Sequence, residues 1–184
     1  MRVVVGITGA SGVKYGIRLL EALECETTVV LSEDAAAIAA GEAGLTAEDI
    51  EAMAHASFKN DDLSSPLASG SVRFDAMVVA PCSMSTMAKI ACGVADNLIT
   101  RAASVALKER RTLVLVPRET PLSTIHLQNM LRLSEVGAVI LPACPAFYPS
   151  PESVDDIVDF VVGRILDVLG VEHSLFRRWT GGYR

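Results

Sequence analysis

The chain has 184 residues, 51% of them apolar, which is enough to bury a core; no stretch of 18 apolar positions exists to form a transmembrane helix. A net charge of −6 argues against a nucleic-acid partner. Four cysteines (Cys25, Cys82, Cys92, Cys144) form no CxxC and three histidines (His55, His126, His173) lie far apart, so no metal site is expected and the thiols read as reduced, in a cytoplasmic protein.

The first apolar run, RVVVGI (2–7), enters a glycine loop directly, unlike a signal peptide. Strand-like runs recur at 27–32 (TTVVLS), 75–82 (DAMVVAPC), 111–117 (RTLVLVP) and 138–142 (AVILP). Each is almost continuously apolar, as strands covered on both faces of a parallel sheet must be. Helical patterns fill 13–24, 33–43, 83–92, 95–110, 122–136 and 151–169. This βα alternation predicts a Rossmann-like α/β/α three-layer sandwich with a mostly parallel sheet, occupying residues 1–170 as one domain and leaving 171–184 as a C-terminal arm. The interval 57–73, SFKNDDLSSPLASGSVR, is polar and reads as a solvated loop.

Ligands of open α/β sheets sit at the carboxyl ends of the strands. Those ends carry Thr8 to Gly12, Ser32, Pro81 to Thr86, Pro117-Arg118-Glu119 and Pro142 to Tyr148. The opening loop suits an anion at a helix N-terminus. Its glycines, at 6, 9, 12 and 16, miss the dinucleotide spacing, and Tyr15 stands where a last glycine is wanted. The loop Cys82-Ser83-Met84-Ser85-Thr86 offers a second cradle, although a helix cap by Ser83 alone would explain one of its hydroxyls. Together with Ser11 and Ser32 these hydroxyls favour a phosphorylated ligand, with FMN a good candidate.

Taken together, GITGASGVKYGIRLLEAL, PLASGS, the long block from Asp75 to Gly170 and a final RRW resemble the UbiX/Pad-type flavin prenyltransferases over nearly the whole chain. The resemblance implies a metal-independent transfer of a dimethylallyl group from dimethylallyl phosphate to N5 and C6 of reduced FMN. The product, prenylated FMN, would go to a partner UbiD-type decarboxylase. It also implies trimers stacked into a homododecamer, with no role for a membrane.

By resemblance, Gly9, Ala10, Ser11, Ser32, Ser83, Met84, Ser85, Thr86 and Arg118 would bind FMN. Lys108, Tyr148 and Arg164 would clamp the prenyl phosphate, with Ser69 and Gly70 reaching in from a neighbouring subunit, Arg101 in support and Trp179 walling the prenyl pocket. Cations and donors placed there favour the charge that grows on a departing phosphate. Ser11, Glu42 and Glu119 would handle protons, in an order left open. Met84 and a short segment between Glu42 and PLASGS depart from the family pattern. Two rivals are an FMN-dependent decarboxylase, which would need a catalytic histidine that only His55 could supply, and a non-catalytic FMN-binding protein, which would have no use for Lys108, Tyr148, Arg164 and Glu119 together.

Overall fold

The computed structural model describes residues 1–182. Six strands, β1 (Arg2–Ile7), β2 (Glu26–Leu31), β3 (Ala56–Ser57), β4 (Ala76–Cys82), β5 (Thr112–Pro117) and β6 (Val139–Ile140), form one sheet in the order β3-β2-β1-β4-β5-β6. Every pairing is parallel. The order reverses between β1 and β4, which leaves a crevice at their carboxyl ends where the chain departs to opposite sides.

Alternation along the strands divides the core in two. Val3, Val5 and Ile7 of β1, with Val78 and Ala80 of β4, face a layer made by α1 (Val13–Ala22), α2 (Glu33–Glu42), α3 (Ala47–Glu51) and α7 (Val154–Leu169). Val4, Met77, Val79, Leu113 and Leu115 face α4 (Met84–Ala91) and α5 (Leu98–Lys108), with Leu133 of α6 (Thr124–Glu135). Both faces are apolar because both are covered, and the expected three-layer sandwich follows. Gly16 lets α1 settle on the sheet: a Cβ there would lie 2.3 Å from the Ala80 carbonyl oxygen of β4. Pro81, in a central strand, is accommodated at a register shift between Val79 and Cys82.

The polar interval 57–73 departs from the solvated loop the sequence suggests. Asn60 receives the amides of Leu98 (2.7 Å) and Ile99 (3.0 Å) at the start of α5, and Leu67 is buried. Arg101 Nε donates to the Ala68 carbonyl at 3.0 Å. Arg111 donates to the carbonyls of Gly70 and Val72, both at 2.8 Å, while its guanidinium lies 4.4 Å from the Phe74 ring centroid. Hydrogen bonds from charged groups fix the segment where apolar side chains are too few to do so. Residues 171–182 turn back along α7, with Phe176 against Phe160 (ring centroids 4.8 Å apart) and room for it made by Gly163. Among the described residues no helix is long and apolar enough to cross a membrane.

Candidate active site

Thr8 sets the geometry of the crevice. Buried at 2% exposure, it donates its hydroxyl to the Pro81 carbonyl (2.8 Å) and accepts the Ser83 amide (2.7 Å). The Ser32 amide bonds to the Ile7 carbonyl at 3.0 Å, so the turns after β1, β2 and β4 form one hydrogen-bonded edge. Above it lies a cleft of about 700 Å³, with Gly9 and Ser32 on one wall, Ser83, Ser85 and Thr86 on the other, and Asn60 and Asn97 among the residues opposite. Ser32 caps α2 through the Ala35 amide and Ser83 caps α4 through the Thr86 amide, each at 3.2 Å. Both hydroxyls therefore hold their helices while remaining on the cleft wall. Lys59 and Lys89 are its two lysines; Lys89 pairs with Asp96 at 2.7 Å and holds that carboxyl below its usual range. Amides at the α4 N-terminus, hydroxyls and amide side chains match the donors that a flavin's phosphate and ring edge require, so the donor set fits FMN. Met84 is different. Its side chain turns into the core beside α4, leaving only its backbone for the cleft.

A second cluster forms at the N-terminus of α1. Gly12, at φ 101°, is its cap and contributes no side chain. The Glu42 carboxylate fills the role instead, accepting the Gly12 amide at 2.8 Å. Burial pushes the Glu42 carboxyl up, but the Ser11 hydroxyl, the Gly12 and Val13 amides and the Arg118 charge outweigh it and hold the group below its ordinary value. Arg118 Nε donates to the Ser11 carbonyl at 2.9 Å, while Glu119 accepts the Thr120 amide at 3.0 Å, so these neighbours serve different partners. Tyr15 is half-buried beside them; burial and Cys144 raise its hydroxyl pKa against the pull of Arg118.

The third cluster lies where the arm meets residues 147–150. Tyr148 makes edge contacts with Phe160 (5.9 Å) and Trp179 (5.4 Å), and Arg177 donates to its carbonyl at 3.1 Å. The hollow lined by Tyr148, Arg177 and Trp179, with Arg178 and Ser150, measures about 470 Å³. Arg164 projects from α7 and bonds Asp167 at 2.8 Å.

A family model for Flavoprotein matches residues 1–166. A flavin prenyltransferase UbiX from Methanocaldococcus jannaschii is 51% identical, the match covering 97% of this chain and 98% of that one. The chain belongs to the UbiX flavin prenyltransferases of the Flavoprotein family. Among solved structures, AnUbiX in complex with FMN and dimethylallyl pyrophosphate superposes with a TM-score of 0.96 at 46% identity, covering 99% of this chain and 98% of that one. A dodecameric FMN-dependent UbiX-like decarboxylase from Escherichia coli O157:H7 gives 0.96 at 50% identity, covering 98% and 100%.

For a member of this family, the residues nominated from sequence are distributed unevenly in a single chain. Gly9, Ser32, Ser83, Ser85 and Thr86 line the cleft. Ser11, Glu42 and Arg118 meet at α1 behind buried Ala10, and Tyr148 meets Trp179 under the arm. Ser69 and Arg101 share a separate hollow of about 440 Å³. Lys108, paired with Glu109 beside Gly70, ends α5 just before β5 begins, and so stands at the amino edge of the sheet, opposite the cleft. Sequence reasoning passed over Thr8 and Asn60. Thr8 sat in plain view in the opening loop, but its role depends on Pro81 and Ser83, some 75 residues away. The signal for Asn60 was a lone amide in a polar stretch, too weak to distinguish it from solvated neighbours.

Proposed function

We propose that this chain joins a dimethylallyl group to N5 and C6 of reduced FMN, using dimethylallyl phosphate as donor and releasing phosphate. The observation that carries the reading is the Glu42 carboxylate, gathered with Ser11 and Arg118 at the N-terminus of α1, in the same turn whose Gly9 lines a cleft with donors that suit a flavin mononucleotide. Reduced FMN supplies the nucleophilic nitrogen and carbon. Glu42 and Ser11 hold and pass the proton shed there, and Glu119, one residue from Arg118, serves the second transfer. Arg118 keeps a fixed positive charge beside them. Tyr148 and Arg164 hold the donor's phosphate, whose negative charge grows as its C–O bond breaks. The edge-packed Tyr148 and Trp179 keep water from the allylic group.

Ser69, Gly70, Arg101 and Lys108 act from a neighbouring copy. The amino-edge position of Lys108 supports this, since it cannot reach its own chain's cleft without refolding α5, and Gly70 packs beside it. That division calls for a homo-oligomer; trimers assembled to a dodecamer in the cytoplasm are the proposed assembly, and a UbiD-type decarboxylase the proposed recipient of the prenylated flavin. A decarboxylase acting through its own histidine has no support here: His55 bonds Thr27, His126 lies at the start of α6 and His173 lies against α7, and none lines the cleft.

The test is anaerobic incubation with reduced FMN and dimethylallyl phosphate, followed by the flavin's mass. Gain of one five-carbon unit, lost in Glu119→Gln, supports the reading. Unchanged flavin with both the monophosphate and the diphosphate donor overturns it.

A further inference from the structure

Asp167 occupies the last turn of α7, where the helix dipole disfavours a carboxylate. Three groups offset that penalty. Arg178 grips it with both nitrogens, at 2.6 and 2.8 Å. Arg164, one turn earlier, bonds the same Oδ2 at 2.8 Å. His173 Nε2 lies 3.1 Å from Oδ1; its Nδ1 accepts the Leu175 amide at 3.2 Å, which leaves Nε2 as the proton-bearing donor. The carboxylate side chain is 19% exposed and both arginines are 51% exposed, so a sequestered anion holds two cations that still face solvent.

These partners come from two places. Arg164 belongs to the rigid helix, whereas His173 and Arg178 belong to the arm that carries Trp179. Phe176, between them, is seated on Phe160, and Arg178 lies 5.2 Å from its ring centroid. One carboxylate thus fixes the direction of Arg164 and ties down the segment that brings Trp179 against Tyr148.

We infer that Asp167 is a positioning residue for prenyl-donor binding, coupling the orientation of Arg164 to the seating of the C-terminal arm, with Arg178 delivered by the arm as a second cation at the donor's phosphate. The inference rests on the prenyltransferase reading, and it assigns Asp167 and Arg178 parts that the reading does not need. Two arginines on one carboxylate leave a surplus positive charge, which a phosphate can take up without breaking the tether.

The chain's single tryptophan, Trp179, reports on the arm alone. In Asp167→Asn, Trp179 fluorescence anisotropy should fall, and KM for dimethylallyl phosphate should rise about tenfold while FMN affinity stays within about twofold. Asp167→Glu should recover most of both. Arg178→Gln, which leaves Asp167 and Arg164 in place, should loosen the arm and raise the donor KM by a smaller factor, and it serves should Asp167→Asn not fold. Wild-type anisotropy and donor KM in Asp167→Asn, or an equal loss of FMN affinity, would overturn the inference while leaving the function intact. If the wild-type protein forms no prenylated flavin, the function reading fails and the inference falls with it.

Discussion

The turns that follow β1 and β4 look alike in sequence, each a run of small residues opening a helix, yet they solve the helix N-terminus in opposite ways. After β4, Ser83 caps its own helix, accepting the Thr86 amide. After β1, Gly12 has nothing to offer, and the capping oxygen comes from Glu42, thirty residues on. An anion-binding loop is recognised by free amides, but here one of them is already engaged by the protein's own carboxylate. The glycine turn therefore anchors an acid at the site, and the serine turn provides the clearer place for a ligand's phosphate.

Substitutions can break this contrast in order of severity. Gly16→Val should be the most damaging, because a side chain would strike the Ala80 carbonyl and lift α1 from the sheet, disrupting both turns; a loss of about 3 kcal/mol in chemical denaturation is expected. Glu42→Gln should lower the prenylation rate about 100-fold in single-turnover assays, with FMN affinity little changed. Thr8→Val removes the hydroxyl between the turns and leaves the half-buried Ser83 amide without its partner, costing about 2 kcal/mol by thermal melting. Ser83→Ala, which removes the cap of α4 and a hydroxyl from the cleft wall, should cost about 1 kcal/mol and weaken FMN binding without altering the pH profile.

The smallest effect distinguishes the two caps by pH. Glu42 titrates below its ordinary value in the folded chain, so its stabilising contribution is full above the unfolded value and is lost as pH falls through the folded one. The melting temperature of wild type should exceed that of Glu42→Gln at neutral pH, and the two should converge once the pH has fallen through the lowered folded-state value. Ser83→Ala should show a constant deficit over the same range. A constant gap for Glu42→Gln would show that its carboxylate is no cap.

What could be read from the sequence followed from how far each signal reaches. β1, β4 and β5 are apolar on both faces and announced themselves as buried parallel strands. β3 is two exposed residues, Ala56 and Ser57, whose only structural credential is pairing with Thr28 and Val29. α3 carried a local cue in Thr46 and Asp49, which cap each other, but spans five residues and has a single buried one, Ile50. The three-layer fold was legible because periodicity is local. Glu42 stood at a helix end as an ordinary surface acid, and family resemblance nominated it; why it is held there depends on an amide that only folding brings near.

The bond between Thr8 and Pro81 spans 73 residues, and it carries a consequence for the order in which the protein matures. A nascent chain that has emerged only through β3 possesses β1, its glycine turn and Glu42, but no opposite wall. Nothing it could bind would steady it, because ligand stabilisation requires a site present in the folded state. Flavin can therefore select only chains synthesised past Ile99, and it acts late, as a seal on a crevice with both walls in place rather than as a template for it.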